Sequence, residues 1–378
     1  MKNYFLIFCF LIFNISCVHN NKNLDNEKDS IDLNRISQIS VFDFIESIDV
    51  IQLETNDESL ISTIQKIVFY DDKYYIFDRK QMIILCFDDK GDYLFKIKAM
   101  GQGPEEYIVI GDFVIDSYNN YLLILDEFGR SLLTFDLSGH FLSKIKLPSR
   151  VIAYNEVYPL NKDTLIFVSI NNEYQLVYYS KRKQDIVDER YKSEKYADRQ
   201  AMLYPTSQSY TNNESVFYNP PITNTIINLS NNSEYVWNFG SSNNSIKQIQ
   251  KFKKLDGNVT KDYVTGGYLN YTFNYNYEST RYRFCSLYAG NYKCKYVFID
   301  KKEDKYFVFE KNKEGINFLV PDFSGDNILM YDRGLIENPF IDIAFYNPNT
   351  LSEEQKIILE RYNPEIDNPF IIRYQLKK

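Results

Sequence analysis

Histidine is nearly missing from this sequence: only His19 and His140 occur in 378 residues. A Ser-His-Asp triad and a His-rich zinc site both need a placed imidazole, so both classes lose their main ingredient. An excess of basic charge is also lacking. Lys and Arg number 43 against 51 Asp and Glu, a net charge of −8. A nucleic-acid partner would call for a basic face, which argues against one here. No apolar run is long enough to span a bilayer. The longest, Tyr4–Ile15, has the length of a signal-peptide core and follows a single basic residue, Lys2. Glycine (14) and proline (11) are scarce, while Tyr (33) and Phe (28) are abundant. Aromatic residues suit pleated, half-buried surfaces, so the composition leans towards strand.

The chain writes one segment twice. Residues 67–97 and 115–145 align without a gap at an offset of 48, and eleven positions are identical. Roughly two would match by chance. A tandem period of this size in a strand-rich chain predicts a ring of small sheets, a β-propeller. Both copies have the same grammar. A strand ends at Asp78 or Asp126, a second ends at Phe87 or Phe135, and a turn closes at Gly91 or Gly139. Asp opens such turns with its carboxylate and Gly takes positive φ at their end, so hairpin chemistry accounts for the repeated residues. Weaker copies follow to the C-terminus. Helical insertions are predicted over 242–255 and over 352–362, where Ser352 and Gln355 form a capping-box signal. The expected architecture is all-β: a six-bladed propeller of four-stranded antiparallel blades over 39–378. A strand over 46–54 is expected to join the C-terminal strand and close the ring.

At the N-terminus, residues 1–16 read as a signal peptide and 17–38 as a flexible polar tether. Cys17 follows Ile15-Ser16 and is the candidate lipidation site, placing a lipid anchor in the membrane. Cys285 and Cys294 flank Ala289-Gly290-Asn291. A two-residue loop there would put them opposite each other, as a disulfide or as two packed thiols. Cys86 reads as packed. Asp78, Asp112, Asp126 and Glu106 are candidate oxygens for a carboxylate mechanism or a calcium site. His140 reads as an exposed turn residue. The aromatic run of Tyr268, Tyr271, Phe273, Tyr275, Tyr277 and Tyr282 is either one buried strand face or a sugar-stacking platform.

Between the two clear repeats lies Met100-Gly101-Gln102-Gly103-Pro104-Glu105-Glu106-Tyr107. This run resembles the Gly-x-Gly-Pro-Gly-Glu-Tyr loop of an exported six-bladed β-propeller family of Bacteroidetes. Gly101, Gly103, Pro104, Glu106 and Tyr107 match it, and Glu105 replaces the third Gly. Ile51–Thr55 and Asn368-Pro369-Phe370 extend the likeness. The resemblance implies six blades and an exported lipoprotein at the outer membrane or cell surface, otherwise periplasmic. It implies no activity and no catalytic residues. The loop lacks the Lys-Ser/Thr ending of a phosphate-binding loop and is read as a blade connector. The expected role is a monomeric binding module for a protein or glycan, without cofactor or metal. The alternative is a propeller hydrolase using carboxylates or Ca2+ at the central channel.

Overall fold

The computed structural model describes residues 30–378 apart from 152–153, 155, 170–171, 194–208, 213–214, 255–265, 290–293, 319–320 and 332–343. The signal peptide, Cys17 and His19 lie outside the described residues. The first strand, β1 (Ile45–Gln52), stands apart in sequence from the repeats. The first blade is β2 (Ile64–Tyr70), β3 (Lys73–Asp78), β4 (Ile83–Asp88) and β5 (Tyr93–Ile97). The second is β6 (Ile110–Asp116), β7 (Tyr121–Asp126), β8 (Ser131–Asp136) and β9 (Phe141–Lys146). The third is β10 (Glu156–Pro159), β11 (Thr164–Val168), β12 (Tyr174–Ser180) and β13 (Asp185–Lys192). The fourth is β14 (Ser209–Asn212), β15 (Ser215–Tyr218), β16 (Thr225–Asn228) and β17 (Glu234–Val236). The fifth is β18 (Thr272–Glu278), β19 (Tyr282–Tyr288), β20 (Cys294–Asp300) and β21 (Lys305–Phe309). The sixth holds β22 (Asp322–Ser324), β23 (Asn327–Met330) and β24 (Phe370–Leu376), with β1 as its outer strand.

All six sheets have four antiparallel strands. The ring closes as expected: β1 pairs with β24 from Ile45↔Leu376 to Gln52↔Phe370. The two ends of the chain thus share one sheet: β24 is paired on both sides, and β1 forms the outer edge of the blade.

Six hydrophobic clusters lie between neighbouring blades, and strand periodicity produces them. Along β7, Leu122 and Ile124 pack towards the first blade with Tyr75, Phe77 and Ile84. Leu123 and Leu125 pack towards the third, with Leu165 and Phe167. Successive side chains point to opposite faces, and each inner sheet is covered on both. That is why these strands read as unbroken apolar runs. The last cluster joins Leu329 and Ile371 of the sixth blade to Ile67, Tyr74 and Leu85 of the first.

The offset of 48 holds for β3/β7, β4/β8 and β5/β9, but it is 46 for β2/β6. The connection 71–72 has become 117–120 in the second copy, so the ungapped match over 67–70 and 115–118 does not pair equivalent positions. Both helical insertions are present. The first helix, α1 (Ile246–Lys253), is capped by Ser245 with Gln248. The second, α2 (Glu353–Arg361), is capped by Ser352 with Gln355. Leu255, the end of the first expected insertion, lies outside the described residues.

The tether expected over 17–38 is not free over 30–38. Ile31 and Leu33 are buried in the core between the fourth and fifth blades. Ile31 N donates to Asn238 O (2.8 Å) and Ser37 N to Val308 O (2.6 Å). Two apolar side chains within a polar stretch supply the burial that pins it.

Candidate functional site

Antiparallel connectivity sorts the connections onto two faces. The turns within the first and third hairpins of each blade leave on one face. The middle turns and the links between blades leave on the other. On the first face the connections are all short: 71–72, 89–92, 117–120, 137–140, 160–163, 181–184, 213–214, 229–233, 279–281, 301–304 and 325–326. The opposite face carries the described residues 98–109, 237–254 with α1, 266–271 and 344–369 with α2. Every connection longer than five residues therefore starts from and returns to this one face. Binding and catalytic residues concentrate on loops held by a rigid scaffold, so this face is the candidate site.

The Gly101–Tyr107 loop stands on it, between the first two blades. Tyr107 is fully buried, and its hydroxyl donates to Met82 O (2.7 Å) and Ile97 O (3.3 Å) while accepting from Ala99 N (3.2 Å). The Glu106 carboxylate folds back and accepts from Gly103 N (2.7 Å). A Cβ at Gly101 would lie 2.0 Å from Glu106 Oε2, so only glycine leaves room for it. Lys144 of β9 donates to Gly103 O (3.3 Å) and Glu106 O (2.5 Å). Pro104 sits at the turn, where no backbone donor is needed. These bonds make the loop a wedge between blades, and Glu106 is spent inside it. Around the wedge, Met100 and Phe128 are 62% and 67% exposed.

The carboxylates of the inner strands are likewise engaged. Asp112 accepts from Lys66 Nζ (2.8 Å) in the first blade and Val157 N (3.1 Å) in the third. Asp322 accepts from Ile67 N (3.0 Å), tying the sixth blade to the first. Asp78 accepts from Ser62 N and Gln81 N, and Asp126 from Val109 N, Gly129 N and Ser131 Oγ. Among the described residues, no group of three or more His, Cys, Asp or Glu is arranged to hold a metal. His140 is exposed and stands 3.0 Å from Asp136 on a short turn.

Cys285 and Cys294 are not opposite each other. β19 and β20 pair as Tyr288↔Cys294 and Cys285↔Val297, because the connection spans 289–293 rather than two residues. Cys285 is then an odd number of positions from Tyr288 and faces the other side of the sheet. It packs in the core shared with the fourth blade, Cys294 against the core shared with the sixth. Both are free thiols, so the disulfide is not formed. Burial pushes the Cys294 thiol up to about 11 and raises the Cys285 thiol well above its ordinary range, so both stay protonated at neutral pH. Cys86 is a third buried free thiol. The aromatic run is packed, on two sides of the blade: Tyr271 and Phe273 are buried against the fourth blade and Tyr275, Tyr277 and Tyr282 against the sixth, while Tyr268 is half-buried.

A cleft of about 320 Å³ opens on the long-connection face at the fifth blade. Leu33 and Asn34 form one wall, Ser241, Ser242 and Asn270 another, and Lys295 of β20 a third. Asn270 braces the linker by donating to Ser242 O (3.1 Å) and Asn243 O (3.0 Å). Lys295 Nζ donates to Leu33 O (2.8 Å). None of these residues stood out in the sequence, because they come from three distant segments.

Together these features define a closed six-bladed β-propeller whose connections build a face on one side only. The chain belongs to the family described as a domain of unknown function, DUF4934, which it matches over residues 26–375. Among solved structures it resembles a protein described as exported, from Bacteroides fragilis. That match has 16% identity and a TM-score of 0.67, covering 91% of this chain and 98% of that one. A member of the DUF4221 family from Bacteroides vulgatus is 9% identical with a TM-score of 0.46, covering 88% and 97%. Virginiamycin B lyase from Staphylococcus aureus is 11% identical with a TM-score of 0.39, covering 75% and 80%. These likenesses concern the fold. No curated protein is significantly similar to the chain. No helix among the described residues is long and apolar enough to cross a membrane.

Proposed function

We propose that this protein is an exported, lipid-anchored binding module of the cell envelope. It takes a protein or glycan ligand on its long-connection face and works as a monomer without a cofactor. One observation carries the reading: every long connection starts from and returns to that face and every connection opposite is short. A scaffold with no binding role has no reason to spend its insertions on one side. The exposed Met100 and Phe128 beside the wedge loop supply apolar anchors there.

The anchor fits this arrangement. The N-terminal segment meets the propeller where Ile31 bonds to Asn238, on the same face. The fourteen residues from Cys17 to Ser30 reach at most about 45 Å. A lipid on Cys17 would therefore hold the long-connection face within reach of the membrane and of ligands displayed there.

The test is capture of partners from envelope fractions together with a glycan-binding screen, using two sets of charge-introducing variants. One set alters Met100, Ile108 and Phe128. The other alters the short turns at Asp89, Ser138 and Lys302. Loss of ligand with the first set alone supports the reading, and loss with the second alone overturns it. Labelling with a fatty-acid analogue tests the anchor, since undiminished labelling of Cys17→Ala refutes it.

A further inference from the structure

The cleft at the fifth blade has a chemistry of its own. Its hydrogen-bonding side chains are amides, hydroxyls and one ammonium. Asn34, Ser241, Ser242, Asn270 and Lys295 contribute beside Tyr271 and the apolar Leu33, Leu287 and Ala289, and among the described residues no carboxylate lines it. That is unexpected in a chain of net charge −8. Lys295 is half-buried and donates to Leu33 O (2.8 Å). No described acid pairs with it. An ammonium carries three donors, so two remain for a guest.

The side chains of Asn34, Ser241 and Ser242 enter none of the described hydrogen bonds. Their neighbours do. Asn270 is held by Gln248 Nε2 (2.8 Å) and by the carbonyls of Ser242 and Asn243, and Asn244 donates to Tyr271 O (3.0 Å). Asn270 and Asn244 thus brace the wall, while the exposed Asn34 and Ser241 and the half-buried Ser242 keep their side chains free at the rim. The volume of about 320 Å³ falls at the lower end of small-ligand pockets, about 300–1,000 Å³.

We propose that the cleft binds an acidic sugar unit, with the carboxylate on Lys295 and ring hydroxyls on Asn34, Ser241 and Ser242. Hydroxyl-rich ligands need groups that both donate and accept, which amides and serines supply. A carboxylate needs a cation not already neutralised. The proposal rests on the binding-module reading and narrows it to one ligand class at one place.

Calorimetric titration of the full chain with a trigalacturonate and with the neutral galactose trimer tests it. The acidic trimer is expected to bind at least tenfold tighter than the neutral one, and more weakly as salt rises. Lys295→Met is expected to remove most of that preference and Lys295→Arg to retain it. Lys295 also holds the N-terminal segment, so a second variant is needed. Asn34→Ala with Ser241→Ala touches no described bond of either side chain; it is expected to weaken binding about tenfold with the melting temperature unchanged.

Equal affinity for both trimers, or binding unaffected by either variant, overturns the proposal. If neither trimer binds while Met100, Ile108 and Phe128 variants still lose a captured envelope partner, the acidic-sugar assignment falls and the binding module stands. If no long-connection variant affects any partner, both fall.

Discussion

Asp112 tests the claim that the acidic residues around the channel hold the ring together. It lies on β6, its side chain is 8% exposed, and it joins three blades. Asp112→Ala removes the acceptor for Val157 N, which lies in a fully buried residue. An orphaned buried N–H costs about 1–3 kcal/mol. The ion pair with Lys66 is lost as well. The Lys66 side chain is 30% exposed and keeps its bond to Phe113 O (2.7 Å), so solvent limits this part to about 1 kcal/mol. The expected loss is about 2–4 kcal/mol. Asp112→Asn keeps an acceptor for the Val157 amide and should lose only about 1 kcal/mol. Denaturant titration reads the difference, with the single tryptophan as the probe. Trp237 is buried between the fourth and fifth blades and donates to Asn276 Oδ1 (2.9 Å). A Lys66→Met cycle isolates the pair and should give a coupling of about 0.5–1 kcal/mol. If Asp112→Ala unfolds within about 0.5 kcal/mol of the wild type, the staple is not one. The carboxylate would then be available for other work.

The wedge loop should show non-additivity. Gly101→Ala displaces Glu106 and orphans Gly103 N, costing about 1 kcal/mol or more, but it should be nearly neutral in a Glu106→Ala background. Additive costs in a thermal-melt cycle would refute the fit. Gly91→Ala should be worse: φ is +96° and the new Cβ would lie 2.2 Å from Gln52 O on the backbone. It strikes the seam between β1 and the first blade, and a melting temperature within a degree or two of the wild type would contradict this. Hydrogen bonds from Arg281 hold the Asp300 carboxyl below its ordinary range. A depressed carboxylate stabilises above the unfolded value of about 4 and loses that contribution as pH falls through the folded value. The deficit of Arg281→Met should therefore be present at pH 7 and disappear in acid; a deficit that persists unchanged at the lowest pH where both proteins fold would refute it. Under denaturing, non-reducing conditions Cys86, Cys285 and Cys294 should all alkylate, and a mass short of two of these adducts would restore the disulfide.

The propeller was legible because its determinants are local. Turn residues and apolar runs recur at 48 in three of the four strands, and the closing strand 46–54 appears as β1 at Ile45–Gln52. What failed depended on loop length. The cysteine pair was misplaced because a connection at 289–293 changes the parity of every side chain beyond it. The packed segment 30–38 was hidden because its few apolar residues, Ile31, Leu33 and the exposed Ile36, stand isolated among polar ones. The motif loop was legible as a blade connector, but its packing as a wedge was not, since Lys144 and Met82 reach it from elsewhere in sequence. The asymmetry between faces follows from strand order alone, yet it needs the strand boundaries first. The cleft could not be read at all, because Leu33, Ser242 and Lys295 converge only in the folded ring.

Hydrogen exchange on the protein with and without a captured envelope ligand tests the central claim most directly. Protection is expected in 98–109, 127–130 and 237–254, on the long-connection face, with 71–72, 137–140, 181–184 and 301–304 unchanged. Protection confined to those short turns would contradict the account.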